Sequence, residues 1–327
     1  MDINKSSGQR DITIDIAKGV GMLLVVIGHL PTVMGGVIYT FHMALFFMLS
    51  GWCFSDKHLD AKRRFLKKRT VSLLLPWLLC KSPFWCMKYS GIFPDIFKTS
   101  VEYHWLGTMW FLPALFGAEV ILLAVLLALR KSKYSGWLSV TAIFILTYAV
   151  SFVSLNVSDF LYYALFYAIG YAAKQTSKGT IRALPKKLYS IGILGVSYLL
   201  MIYLKPFVPA TISSCDSSTY LLYLITSLSG SFLVIQFCSW IGKHTETLRD
   251  IFVLIGQNTM AIVLFQWFAF WLLQGAVDNG IITVDNETLL IFSKFIIGLT
   301  VPILLNEVYK IAKRQIKQKL SCHNQDG

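Results

Sequence analysis

Charge is scarce in this chain. Asp, Glu, Lys and Arg make up 14% of the 327 residues, while 55% are apolar; an ordinary soluble domain carries about 25% charged residues. A fold of this length in water needs more polar surface than that, so a soluble enzyme is excluded. Acidic residues are the scarcest, 17 against 30 Lys plus Arg, for a formal charge of +13 and a pI near 9.4. In a membrane protein basic residues chiefly set orientation, so nucleic acid is not expected as a partner. Six cysteines without a paired pattern exclude a disulfide framework; Cys53, Cys80, Cys86 and Cys238 sit in apolar runs as small packing residues. There is no HExxH, no cysteine pair at zinc spacing, no GxSxG, no P-loop and no dinucleotide fingerprint, so no metal is expected. The apolar run after Arg10 carries Asp15 and Lys18 and lacks a small-residue cleavage site, so the first span is expected to remain in the mature protein.

What the chain has is hydrocarbon-compatible length. Mean hydropathy is +0.61, and apolar runs recur from Ile12 almost to Tyr309. About 20 apolar residues cross about 30 Å of hydrocarbon. Ten windows qualify, near 12–33, 37–55, 71–88, 109–129, 136–155, 159–173, 188–204, 218–241, 251–273 and 288–309. Alternate connections collect 24 Lys and Arg on one side and three, Lys88, Lys98 and Lys205, on the other. That split predicts an all-α, polytopic membrane protein of about ten transmembrane helices with both termini cytoplasmic. The organisation expected is a cytoplasmic segment 1–11, a transmembrane domain 12–309 and a basic cytoplasmic tail 310–327. The external stretch Tyr89 to Thr108 mixes aromatic and polar residues, suited to an interfacial belt or to covering a substrate.

A charge inside a spanning helix costs several kcal/mol, which makes each a functional candidate. These are Asp15, Lys18, Lys81, Glu119 and Lys294, with His29 and His42 as titratable additions. At about 100° per residue, Lys18 lies roughly 60° and His29 roughly 40° from Asp15, on one face of the first helix. A rise of about 1.5 Å per residue separates Asp15 from His29 by roughly 21 Å, so this face lines a path from the cytoplasmic mouth outward. His42, on the antiparallel second helix, lies at a similar depth to His29. It is either a converging partner or a packed histidine bonded to a backbone carbonyl. Glu119 is either functional or a structural ion pair with Lys81, and Lys294 is assigned no role.

These residues match a known pattern. Arg10-Asp11-Ile12-Thr13-Ile14-Asp15-Ile16-Ala17-Lys18-Gly19, Gly28-His29 and Phe41-His42-Met43-Ala44-Leu45-Phe46-Phe47-Met48-Leu49-Ser50-Gly51-Trp52 resemble the acyltransferase family 3 membrane proteins. More specifically, they resemble the short, fucose 4-O-acetylase-like members. Phe65-Leu66-Lys67-Lys68-Arg69 before Leu75-Pro76-Trp77, Trp110-Phe111-Leu112-Pro113-Ala114-Leu115-Phe116, and Ile255-Gly256-Gln257-Asn258-Thr259-Met260 extend the match. The resemblance implies ten spanning helices, acetyl-CoA taken as co-substrate from the cytoplasm, and acetyl transfer to a hydroxyl of an envelope glycan or lipid-linked sugar. It implies that His29 is catalytic and that Arg10 and Arg69 lie near the CoA side. Asp15, Lys18, His42, Trp110, Glu119 and Asn258 are counted with them as substrate-binding. Membrane lipid is the other expected partner, the expected location is a bacterial inner membrane, and a homo-oligomer is left open.

Three departures stand out. Ser72 occupies the position where many relatives carry a second arginine, so an Arg-x-x-Arg clamp is incomplete. Gln266 occupies a ninth-span position where relatives often place a histidine, and it cannot act as a base. With no hydrolase-like domain after the last span, the membrane region is expected to serve the acceptor itself. In the expected mechanism a neutral His29 removes the acceptor hydroxyl's proton, or forms an acetyl-histidine, while Arg10, Lys18 and Arg69 attract the CoA phosphates. Trp110 stacks on a sugar or anchors its helix. The rival classes are a transporter or flippase of a polyprenyl-linked glycan and a non-catalytic subunit of an envelope complex.

Overall fold

The computed structural model describes residues 11–31, 35–80, 109–129, 132, 134–151, 160–177, 189–204, 217–284 and 286–323. Among the described residues the secondary structure is helical, with no strand, as the long apolar runs predict. Helix α1 (Ile12–Gly28) starts behind Asp11, whose carboxylate accepts the Thr13 amide at 2.9 Å and caps a free backbone donor. Then come α2 (Gly35–Ile38), α3 (His42–Trp52), α4 (Lys57–Asp60) and α5 (Lys62–Arg69), which runs into a π-helical turn, Thr70–Leu74, and on through residues 75–80. The remaining helices are α6 (Phe111–Ala128), α7 (Ser135–Ser151), α8 (Phe160–Thr176), α9 (Tyr189–Leu204), α10 (Ser217–His244), α11 (Glu246–Gln257), α12 (Thr259–Asp278) and α13 (Glu287–His323).

Among the described residues four helical stretches are long and apolar enough to cross a membrane: Phe111–Ala128, Thr219–His244, Thr259–Asp278 and Glu287–Ile316. Helices α1, α7 and α8, at 17 residues each, are apolar but fall short of that length. Two of the ten windows are not single helices. The 37–55 window breaks at residues 39–41, and polar side chains there satisfy the freed carbonyls, as a backbone break at membrane depth requires. Thr40 donates to the Val37 carbonyl, His42 Nδ1 bonds the Ile38 carbonyl at 2.8 Å, and the Tyr39 hydroxyl donates to the Gly28 carbonyl at the end of α1. The 251–273 window breaks at Asn258, which joins α11 to α12. Helix α13 passes residue 309 without interruption and carries the basic segment expected to be a tail as its final turns.

Two reciprocal glycine contacts bring four helices to backbone distance. Gly19 of α1 faces the Phe252 carbonyl of α11, and Gly256 of α11 faces the Asp15 carbonyl of α1. Likewise Gly51 of α3 faces the Tyr167 carbonyl of α8, and Gly170 of α8 faces the Met48 carbonyl of α3. Each approach leaves no room for a Cβ, the close packing that small residues permit where lipid gives helices no hydrophobic drive to associate. Around these seams Phe47 stacks on Tyr163 at 4.6 Å, and Leu112, Ala118 and Leu122 of α6 are buried against α8. The result fixes α1, α3, α6, α8 and α12 around a common cavity.

Candidate active site

The cavity encloses about 290 Å³. On α1 it is lined by Lys18, Met22, Val25 and, at the helix cap, His29. This is an i, i+4, i+7, i+11 row, a single helical face roughly 16 Å long at about 1.5 Å per residue. The cavity therefore joins a cationic end at Lys18 and Arg69 to an imidazole end at His29 and His42. Helix α12 contributes Thr259, Met260, Val263 and Gln266, and α6 contributes Phe111, Leu112 and Leu115, with Trp110 at its start.

At the imidazole end, His29 packs against Trp267 with ring centroids 5.1 Å apart, and His42 meets Tyr39 edge-on at 5.4 Å. A carbonyl can only accept, so the 2.8 Å contact to Ile38 puts the His42 proton on Nδ1 and leaves a lone pair on Nε2 of the neutral ring. Both readings of His42 open in the sequence thus meet in one side chain: it is bonded to a backbone carbonyl and it borders the same cavity as His29. Trp110 packs against Tyr163 at 5.3 Å, giving the cavity an aromatic wall.

At the cationic end, Arg69 closes a fork on Glu119. Its Nε donates to both carboxylate oxygens, at 2.9 and 2.7 Å, and its Nη2 donates to Oε1. Glu119 is fully buried and also accepts the Tyr167 hydroxyl at 3.4 Å. The partner of Glu119 is therefore Arg69, from the loop side of the third window; Lys81 lies outside the described residues. The π-helical turn follows directly after Arg69, and Arg69 and Leu73, four positions apart, both border the cavity. Ser72 is exposed, bonds back to the Arg69 carbonyl at 3.3 Å and does not line the cavity. Lys18 reaches within 4.0 Å of the Cys53 sulfur.

Of the residues singled out from the sequence, the cavity brings together Lys18, His29, His42, Arg69 and Trp110. Asp15 is buried, its backbone carbonyl lies against Gly256 of α11, and it does not line the cavity. Glu119 stands behind Arg69. Asn258 is held in the α11–α12 joint, donating to the Leu254 carbonyl at 2.8 Å and accepting from Asn306 at 2.5 Å and Lys310 at 3.4 Å. Arg10 lies outside the described residues. Sequence reasoning set aside Gln266 and did not reach Tyr39 or Tyr163. For Gln266 the signal was present, a lone polar side chain in the apolar run Met260 to Leu273. Among the described residues no group of three His, Cys, Asp or Glu side chains is placed to hold a metal ion.

A family profile described as an acyltransferase domain matches residues 11–307. Nodulation protein NolL of Mesorhizobium japonicum is 32% identical over 182 residues, 48% of this chain and 46% of that protein. Nodulation protein NolL of Sinorhizobium fredii is 31% identical over 140 residues, 35% of this chain and 36% of that protein. The matched regions thus span less than half the length of these curated relatives. No solved structure matches.

Proposed function

The chain belongs to the acyltransferase 3 family, and from that premise we propose that it is a membrane-bound O-acetyltransferase of a bacterial inner membrane. In this reading it moves an acetyl group from cytoplasmic acetyl-CoA to a hydroxyl of an envelope glycan, free or lipid-linked, through ten spans with both termini inside. The observation that carries it is the cavity itself, which connects Lys18 and Arg69 at one end to His29 and His42 at the other.

The thioester end of the donor enters between Lys18 and Arg69, while the nucleotide phosphates stay outside against the exposed Lys62, Arg63, Arg64, Lys67 and Lys68 of α5. Glu119 holds the Arg69 fork in place, leaving Nη1 for the donor. At the far end the acceptor ring lies against Trp110 and Tyr163. Neutral His29 takes the hydroxyl proton as the oxygen attacks the thioester carbonyl. The C–S bond then breaks, and the departing sulfur takes that proton from the imidazolium, giving an acetyl ester and free CoA. The His42 Nε2 lone pair accepts from a different hydroxyl of the acceptor and so holds the ring in place.

The test is acetyl-CoA consumption by the purified protein with glycan, together with mass spectrometry of surface glycans from cells with and without it. An acetyl ester that disappears with the gene supports the reading. Identical glycans, and no release of CoA, would remove it.

A further inference from the structure

We propose that Gln266 decides which hydroxyl of the acceptor is acylated. Its carboxamide oxygen accepts a hydrogen bond from a second donor of the acceptor, a hydroxyl or amide N–H on the carbon next to the one acylated. This rests on the acetyl-transfer reading above.

The inference comes from a tally of hydrogen-bond partners around the cavity. Buried polar atoms in folded proteins are paired almost without exception. Two polar groups at the imidazole end are committed within the protein, the Tyr39 hydroxyl to the Gly28 carbonyl and His42 Nδ1 to the Ile38 carbonyl. The Gln266 oxygen is not. The side chain is 2% exposed, its Oε1 is buried without a hydrogen-bond partner, and it lines the cavity. Thr259, Val263 and Gln266 form an i, i+4, i+7 row on α12, so Gln266 is the member furthest from the α11–α12 joint. It is followed by Trp267, whose ring packs on the His29 imidazole. The unpartnered oxygen therefore sits at the end of the cavity where His29 would meet the acceptor, and a carboxamide oxygen there selects for a donor.

A site built to bond one donor discriminates strongly against a pose that leaves its own polar atom unpaired. With His29 fixed at the end of α1 and Gln266 fixed on α12, an acceptor carrying adjacent donors has one orientation that serves both. Glutamine carries no titratable proton, so this selection does not change with pH as a histidine's would.

The experiment expresses the full-length protein and its Gln266→Met, Gln266→Leu and Gln266→Glu variants in cells lacking the native gene, then locates the acetyl ester on the surface glycan by NMR. Acetyl-CoA titration of each purified variant, run alongside, establishes that it is folded. Wild type is expected to give one positional isomer. The Met and Leu variants, which differ in packing but both lack the oxygen, are expected to lose about tenfold in the ratio of that isomer to its neighbour, the scale of one lost hydrogen bond. Gln266→Glu keeps an acceptor oxygen at the same reach and should retain the single isomer. An unchanged single isomer from either apolar variant, or a mixture from Gln266→Glu, overturns the proposal. Absence of any acetyl ester from wild-type cells would count instead against the acetyl-transfer reading itself.

Discussion

At the scale of single residues, the cavity separates proton handling from charge. His29→Ala is expected to lower turnover by about 10²–10⁴-fold, the usual contribution of a positioned general base, with the protein still folded and inserted; near-normal turnover would remove His29 from the mechanism. Arg69 presents a harder case, because Arg69→Ala leaves the buried Glu119 carboxylate unpaired, and breaking a buried pair costs up to about 3–5 kcal/mol. The double variant Arg69→Ala/Glu119→Gln separates the two roles. Its melting temperature is expected to recover relative to Arg69→Ala, while the apparent acetyl-CoA constant stays raised by roughly ten- to a hundredfold, the loss of one charge-assisted contact. Donor affinity that recovers together with stability would show that Arg69 only anchors its helix. The Lys18 and His29 face was legible from spacing, since positions eleven apart return to within roughly 20° on a helix. Asp15, 40–60° away, does not line the cavity. The Arg69–Glu119 fork was not legible, because it joins side chains 50 positions apart on separate helices, a pairing that hydropathy does not register.

At the scale of elements, the short helix α3 depends on its seam with α8. Gly51→Ala puts a Cβ into the Tyr167 carbonyl, where neither backbone can yield, and overpacking of this kind costs about 1–3 kcal/mol. A lowered melting temperature is the expected outcome, and an unchanged one would mean that α3 and α8 do not meet at this seam. The breaks that define α3 and α12 were hidden in the sequence because the few polar residues at each, Thr40 and His42 or Gln257 to Thr259, sit within windows that are apolar on average. They become readable only once Tyr39, Thr40, His42 and Asn258 are seen satisfying backbone carbonyls. Outside the spans, His58 of α4 stacks on Phe65 of α5 at 4.4 Å. Burial, reinforced by the charges of Arg69, Lys68 and Lys174, lowers its affinity for a proton below the ordinary value of 6.5. The folded chain thus holds that proton less tightly than the unfolded chain, so stability is full above about pH 6.5 and falls as the pH drops below it. Thermal melts at pH 7.5 and 5.5 should show the loss in wild type and a smaller one in His58→Gln; equal losses would place the titrating group elsewhere.

At the scale of the whole molecule, the cavity has a direction, and the direction has to agree with the membrane. Lys18 and Arg69 lie at the end of the cavity nearest the basic helix α5, and His29 and His42 lie at the other end. Helix α8 ends on Lys174, α10 on Lys243 and His244, and α13 carries Lys310, Lys313 and Arg314 in its final turns. Basic residues near the ends of spans are retained on the cytoplasmic side. If they set the orientation here, the Arg69 end of the cavity opens to cytoplasmic acetyl-CoA and the histidine end toward the envelope. Apolar length alone identifies only four spans among the described residues, since α1, α7 and α8 at 17 residues, α9 at 16 and α3 at 11 are shorter, so charge must carry the topology. Single cysteines placed at Lys62, Glu246, Asn279 and Arg314 in a cysteine-free background test it with a membrane-impermeant thiol reagent. Asn279, between α12 and α13, is expected to label in intact cells, and the other three only after the inner membrane is permeabilised. Labelling of Lys62 in intact cells would put the basic helix and Arg69 on the envelope side, where there is no acetyl-CoA to bind, and the proposed direction of transfer would be reversed.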